Sequence, residues 1–207
     1  MSSRFAQIAF TPGVQRHQLE HGSHRAYRRL MEGAGGADLL GDAERLFIGE
    51  RDSFYLASVG ESGWPYIQHR GGPRGFLRVL DEHTLGFADF RGNRQYITRG
   101  NLDHDDRVSL FLMDYANRGR LKVLGRARAV EDDPELIGRL AVEGYQGKVE
   151  RAVLIDVEGF DWNCSQHIPE LYPRDLVERA LGSARDRIAA LERENARLRA
   201  GLAATRT

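Results

Sequence analysis

A single cysteine, Cys164, occurs in 207 residues. That excludes an intrachain disulfide and any zinc site built on paired cysteines, and it fits a reducing compartment. The cytoplasm is the expected address. An excess of charge of either sign is missing too, since 30 lysines and arginines balance 30 aspartates and glutamates. No overall field argues for nucleic acid or an anionic membrane, so a charged ligand has to be met by a local cluster. No apolar run approaches the ~20 residues of a membrane span, and the N-terminus MSSRFAQIAFTPGVQRHQLEHGSH lacks the unbroken apolar segment of a signal peptide. Neither a nucleic-acid nor a membrane partner is expected. Familiar chemistry-bearing motifs are scarce as well. The chain holds no GxSxG elbow for a Ser-His-Asp hydrolase, no GxGxxG after a strand and no GxxxxGK[ST] loop for a nucleotide.

What is present changes texture three times. Residues 1–50 mix charge, histidine and glycine and read as an N-terminal arm with short helices, at Arg25–Met31 and Ala43–Glu50. Residues 51–172 carry short runs rich in Phe, Tyr, Val, Leu and Ile, separated by turn clusters such as GESG, RGGPRG and ANRGR. The expected strands are Phe54–Val59, Tyr66–Arg70, Phe76–Leu80, Thr84–Asp89, Val108–Asp114, Arg120–Val130 and Ala152–Glu158. Two longer links, Gly92–Leu102 and Asp133–Gly147, have helical spacing, the second with Asp133 as N-cap and Pro134 at the first helical position. Many short strands with hairpin-length links imply a mainly β domain, an antiparallel, closed or nearly closed β-barrel with inserted helices.

Residues 173–207 form the third segment, a C-terminal helix. Leu181, Ala184, Ile188, Leu191, Asn195, Leu198 and Leu202 alternate in steps of three and four, the a/d spacing of a coiled coil. A single asparagine at an a position costs stability and specifies two-stranded, in-register pairing. In a parallel dimer Arg187 faces Glu192 of the partner and Glu194 faces Arg199, both pairs opposite in sign.

Three constellations deserve weighing for chemistry. Cys164 and His167 have the residue types of a nucleophile and its base, but residues three apart after a strand have no guaranteed facing geometry. A metal reading of Cys164, His167 and one of His17, His21 or His24 is no better supported, so no metal is expected. The stretch FADFRGNRQYITRGNL is more promising. A strand ends near Phe90, Gly92 lets the chain turn, and Asn93, Arg94 and Gln95 are expected to open a helix whose free N–H groups favour an anion, with Arg70 and Arg91 nearby.

The order of these elements, with GNRQYITRGNLDHDDRVSLFLMDY, RLKVLGRARAV and WNCSQHIP, resembles the FMN-binding split barrel of the pyridoxamine 5'-phosphate oxidase family over Ser53–Pro169. The resemblance implies FMN as cofactor and a homodimer with the cofactor site at the subunit interface, which Arg120 and Lys122 would approach. It places Gln68, His69 and Arg70 alongside the flavin and matches Asn93, Arg94 and Gln95 to the family's phosphate loop, with Gln95 where a cation is usual. It makes Trp162, Gln166 and His167 pocket wall, and Cys164 incidental.

Family members that oxidise pyridoxamine phosphate carry a C-terminal Arg- and Trp-bearing segment, which SARDRIAALERENARLRA does not match, so the resemblance implies FMN without a substrate. The expected function is an FMN-dependent oxidoreductase moving hydride or electrons between a small-molecule donor and an acceptor, with the chemistry on the flavin and no catalytic residue assigned. The alternative is a non-catalytic flavin carrier or sensor acting through its C-terminal helix. A third reading keeps the barrel for haem or a deazaflavin at His69 or His167.

Overall fold

The computed structural model describes residues 3–33, 35–162 and 165–204, with side chains as far as 201. The chain divides into two compact units, Met1–Asp114 with Gly119–Gln166, and Tyr115–Arg118 with His167–Thr207.

The first unit opens with α1 (Arg4–Ala9), α2 (Pro12–Glu20), α3 (His24–Met31) and α4 (Asp42–Gly49). Seven strands follow: β1 (Ser53–Val59), β2 (Pro65–Gly71), β3 (Arg78–Val79), β4 (Thr84–Phe90), β5 (Arg107–Asp114), β6 (Gly119–Val130) and β7 (Val149–Trp162). Helix α5 (Ile97–His104) lies between β4 and β5, and α6 (Pro134–Leu140) between β6 and β7. The strands form one sheet in the order β2-β1-β5-β6-β7-β4-β3, every pairing antiparallel.

Period-two patterning drives the strands inward on one face. In β5, Val108, Leu110, Leu112 and Asp114 are buried and the residues between them are not. Leu56, Leu110, Leu112, Leu121, Val123 and Ile155 lose all contact with solvent, each contributing roughly 1.5–3 kcal/mol of burial. Phe54 stacks on Phe76 at 5.6 Å and meets Phe87 edge-on at 5.4 Å. The buried hydroxyl of Ser58 accepts from Asn101 Nδ2 at 2.9 Å, which ties α5 to β1 without an orphaned polar group.

The sheet curls back on itself. Arg70 of β2 and Asp89 of β4, from strands near opposite ends of the order, form an ion pair of 2.6 Å across a gap with no ladder hydrogen bonds. This is the split of a split barrel, and the expectation of a mainly β, antiparallel fold with inserted helices holds.

The strand limits differ where partners decide them. β7 runs 14 residues because β4 and β6 pair along its two edges, whereas β3 shrinks to two residues, and Phe76 and Leu77 enter the core from irregular chain. Asp133 caps α6 as expected, its carboxylate accepting from Leu136 N at 2.9 Å, but the helix stops at Leu140 and does not reach Gly147.

The arm is stapled to β7 by one carboxylate. Asp38 accepts from the backbone N–H groups of Arg4, Phe5 and Phe160 at 2.9–3.2 Å. Gly159 makes this approach possible, because a Cβ there would sit 2.4 Å from Phe5 N.

The second unit contains α7 (Arg174–Ala204), 31 residues long. No helix among the described residues is long and apolar enough to cross a membrane.

Candidate functional site

A pocket of about 190 Å³ opens beside the gap between β2 and β4. Its floor comes from β2 and the end of β4, its rim from the Gly92–Tyr96 loop, and its far side from the first turn of α5 and the start of β7. Four arginines (Arg70, Arg94, Arg99 and Arg151) and two carboxylates (Asp89 and Glu150) line it. The excess of guanidinium favours an anion.

Asp89 organises the floor. Its Oδ1 takes Arg70 at 2.6 Å and its Oδ2 lies 3.7 Å from Arg151, with all three side chains largely buried. Burial pushes the Asp89 carboxyl above its ordinary value, and the two guanidinium groups pull it back only in part. Arg70 and Arg151 each keep a buried Nε without a hydrogen-bond partner, although Arg151 Nε is 3.2 Å from a Glu131 carboxylate oxygen. Glu150 is bound from outside by Arg91 at 2.8 Å, and that hydrogen bond holds its carboxyl below the usual range.

The rim is not the helix start expected at Asn93–Gln95. Helix α5 begins only at Ile97, after a loop in which Arg94 (φ 61°) and Tyr96 (φ 55°) both adopt the left-handed conformation. For side chains of this size that backbone is uncommon and stores strain. Local contacts hold it. Asn93 Oδ1 accepts from Gln95 N at 3.2 Å, Arg94 Nε donates to the Tyr96 hydroxyl at 3.0 Å, and the Arg151 guanidinium lies 5.3 Å from the centre of the Tyr96 ring. The competition between turn-forming Asn93 and helix propensity went to the turn.

Six of the ten residues singled out from sequence come together here: Gln68, His69, Arg70, Asn93, Arg94 and Gln95. Strand alternation sets Gln68 and Arg70 on one face of β2, where Gln68 accepts from Thr98 Oγ1 at 2.7 Å, while His69 is exposed and edge-on to Tyr55.

Lys122, Trp162 and Gln166 do not line this pocket. Lys122 pairs with Asp161 at 3.1 Å and lies 5.0 Å from the Phe5 ring. Trp162 packs on α4, donating from Nε1 to Glu44 at 2.7 Å and meeting Phe47 edge-on. Gln166 is exposed, as is His167, which opens the C-terminal unit in a left-handed backbone conformation. Cys164 lies outside the described residues.

Sequence reading missed Asp89, Tyr96, Thr98, Glu150 and Arg151. Arg151 left one signal, a lone cation at the head of the apolar run AVLI. The histidines of the arm also sort themselves. His17, Glu20 and His21 bring ligand atoms within 4.8 Å of one another on an exposed face of α2, where His17 Nδ1 and Glu20 are hydrogen-bond partners at 3.1 Å.

Fold and pocket together define an antiparallel split barrel with an anion-favouring cleft at its open seam. The chain belongs to the pyridoxamine 5'-phosphate oxidase family, whose model matches residues 40–161. No curated protein matches the chain in sequence.

Among solved structures, HupZ of Group A Streptococcus is similar over 64% of this chain and 98% of its own, at 17% identity and a TM-score of 0.50. An FMN-binding protein from Syntrophomonas wolfei subsp. wolfei is similar over 70% of this chain and 97% of its own, at 13% identity and a TM-score of 0.47. HutZ, the heme storage protein from Vibrio cholerae, is similar over 59% of this chain and 93% of its own, at 18% identity and a TM-score of 0.41. At such identities the likeness bears on the fold alone.

Proposed function

We propose that this protein is an FMN-binding oxidoreductase that passes hydride or electrons between a small organic molecule and an acceptor. The observation that carries the reading is the cleft itself, in which Arg70 and Arg151 are held beside Asp89 and Arg94 stands at the rim. A phosphate monoester suits such a donor set, since charge-assisted hydrogen bonds from fixed guanidinium groups are among the strongest available. Arg94, with Asn93 and Gln95, would hold the phosphate, while Gln68 and His69 would run beside the ring system. A flavin bound there would supply the redox chemistry. The chain's own residues would orient it.

Size matters to the reading. At about 190 Å³ the pocket falls below the ~300–1,000 Å³ of ordinary ligand sites. One chain therefore encloses only part of a flavin mononucleotide, and a homodimer would complete the site. Lys122, Trp162 and Gln166, which do not line the pocket of their own chain, and with them His167, would then act from the partner's side.

The test is the chromophore. The purified protein should be yellow and release FMN on denaturation, a nicotinamide cofactor should bleach it, and air should restore the colour. Release of haem or a deazaflavin overturns the FMN reading. Bound FMN that no nicotinamide cofactor or other small donor reduces moves the protein to the carrier or sensor class.

A further inference from the structure

We infer that α7 is one strand of a parallel two-stranded coiled coil whose other strand is α7 of a second copy of this chain. The stripe that would form the seam is in place and uncovered: Leu181, Ile188, Leu191 and Leu198 are each 45–58% exposed. Together with Ala184 and Asn195 they fall at alternating steps of three and four, so they lie along one narrow face of a continuous helix. An isolated helix gains little from such a stripe, whereas a matching stripe buries it.

The charges beside the stripe point to a second copy of the same helix as the occupant. Elsewhere on α7, side chains one turn apart pair within the chain, Arg174 with Glu178 at 2.6 Å and Arg179 with Asp175 at 3.1 Å. Arg187, Glu192, Glu194 and Arg199, which flank the stripe, form no ion pair among the described residues. Set against an identical helix in parallel register, Arg187 meets Glu192 and Glu194 meets Arg199, twice over by symmetry. The sequence of the flank is thus complementary to itself.

Charge does not choose the direction. In the antiparallel register that keeps the same stripe buried, Arg187 would face Glu194 and Glu192 would face Arg199, again opposite in sign. Asn195 decides. In parallel it meets its symmetry mate at an a position, where two amides hydrogen-bond each other, but in antiparallel it opposes Leu191 and buries an amide with no partner. The parallel arrangement is the one in which every polar group at the seam is satisfied.

Full-length chains carrying Cys164→Ser, to remove the native thiol, test this with one added cysteine at a time. Leu191→Cys and Leu198→Cys sit at d positions, which face each other across a parallel two-fold. Both should form covalent dimers under mild oxidation, while Arg193→Cys, on the far side of the helix at f, should not. Circular dichroism checks that each variant is folded, and sedimentation gives its oligomeric state. A dimer in which neither d-position cysteine cross-links overturns the inference, and so does a monomer at all concentrations tested. If Leu191→Cys links only to Asn195→Cys in a mixture of the two chains, the pairing is antiparallel and the inference is equally lost. The outcome is independent of which cofactor the barrel binds.

Discussion

Leu110 and Leu198 are the same side chain in opposite situations. Leu110, on β5, is completely buried by strands of its own chain, whereas Leu198, on α7, is 58% exposed within a regular stripe. The difference teaches that the barrel's apolar pattern is consumed within its own fold, while that of the helix is left uncovered. Under the pairing inferred above it would also separate two kinds of stability, one intrinsic to the fold and one that depends on protein concentration.

The largest effect that would break this contrast comes from the leucines themselves. Leu110→Ala should cost the barrel about 2–5 kcal/mol, the usual penalty for a core leucine, measured by urea unfolding at fixed protein concentration. Leu198→Ala should leave the barrel's transition within about 0.5 kcal/mol and lower only the dimer's resistance to dilution. Similar losses in both transitions would show that the two regions unfold as one.

Next in size is the floor of the pocket. Arg70→Ala leaves Asp89 buried with only Arg151, 3.7 Å away, and should cost roughly 3 kcal/mol, the lower end for removing one partner of a buried ion pair. Arg94→Ala sharpens the distinction between holding the fold and holding a ligand. Arg94 is exposed and bonded only within its loop, so thermal stability should hardly move, while FMN affinity falls about ten- to a hundredfold, the equivalent of roughly 1.5–3 kcal/mol for one charge-assisted contact. Unchanged affinity in a titration of apo-protein would remove Arg94 from the phosphate site.

The smallest effect is a slope. Burial raises the folded-state carboxyl of Asp89 above its ordinary value of 3.8, so the native state binds its proton more readily than the unfolded chain does. Its contribution is fully present below the ordinary value and is lost as pH rises through the raised one. Wild type should therefore lose stability relative to Asp89→Asn across that window. The opposite slope would mean that the Arg70 ion pair outweighs desolvation.

Much of the barrel was legible because each strand carries its own period-two signal: β1, β2, β4, β5 and β6 fall within a residue or so of their expected limits. The N-terminal helices α1 and α2 were not legible as separate elements, since neither shows an apolar face long enough to register before Asp38 and Gly159 supply a docking place. In the candidate site, the residues adjacent in sequence, Gln68 to Arg70 and Asn93 to Gln95, were found together, because local turns and strands carry them to one place. Asp89 and Arg151 escaped, because a buried acid and a buried base look like surface charges until the strands that bear them are paired. The helix start expected at Asn93 failed for a related reason. Propensity favoured it, but Tyr96 gains Arg94 on its hydroxyl and Arg151 against its ring only when the loop takes left-handed turns.

By itself, then, the sequence determined the antiparallel strands, the capped helix α6 and the apolar stripe along α7, all of which rest on spacings within a few residues and need no distant partner. Only the tertiary structure decided where the sheet splits, how much of a ligand one chain can enclose, and that Asp89 gathers two arginines beneath a strained rim. Those features depend on residues 19 to 62 positions apart meeting in a low-dielectric cleft, and no local pattern encodes the desolvation that sets their charges.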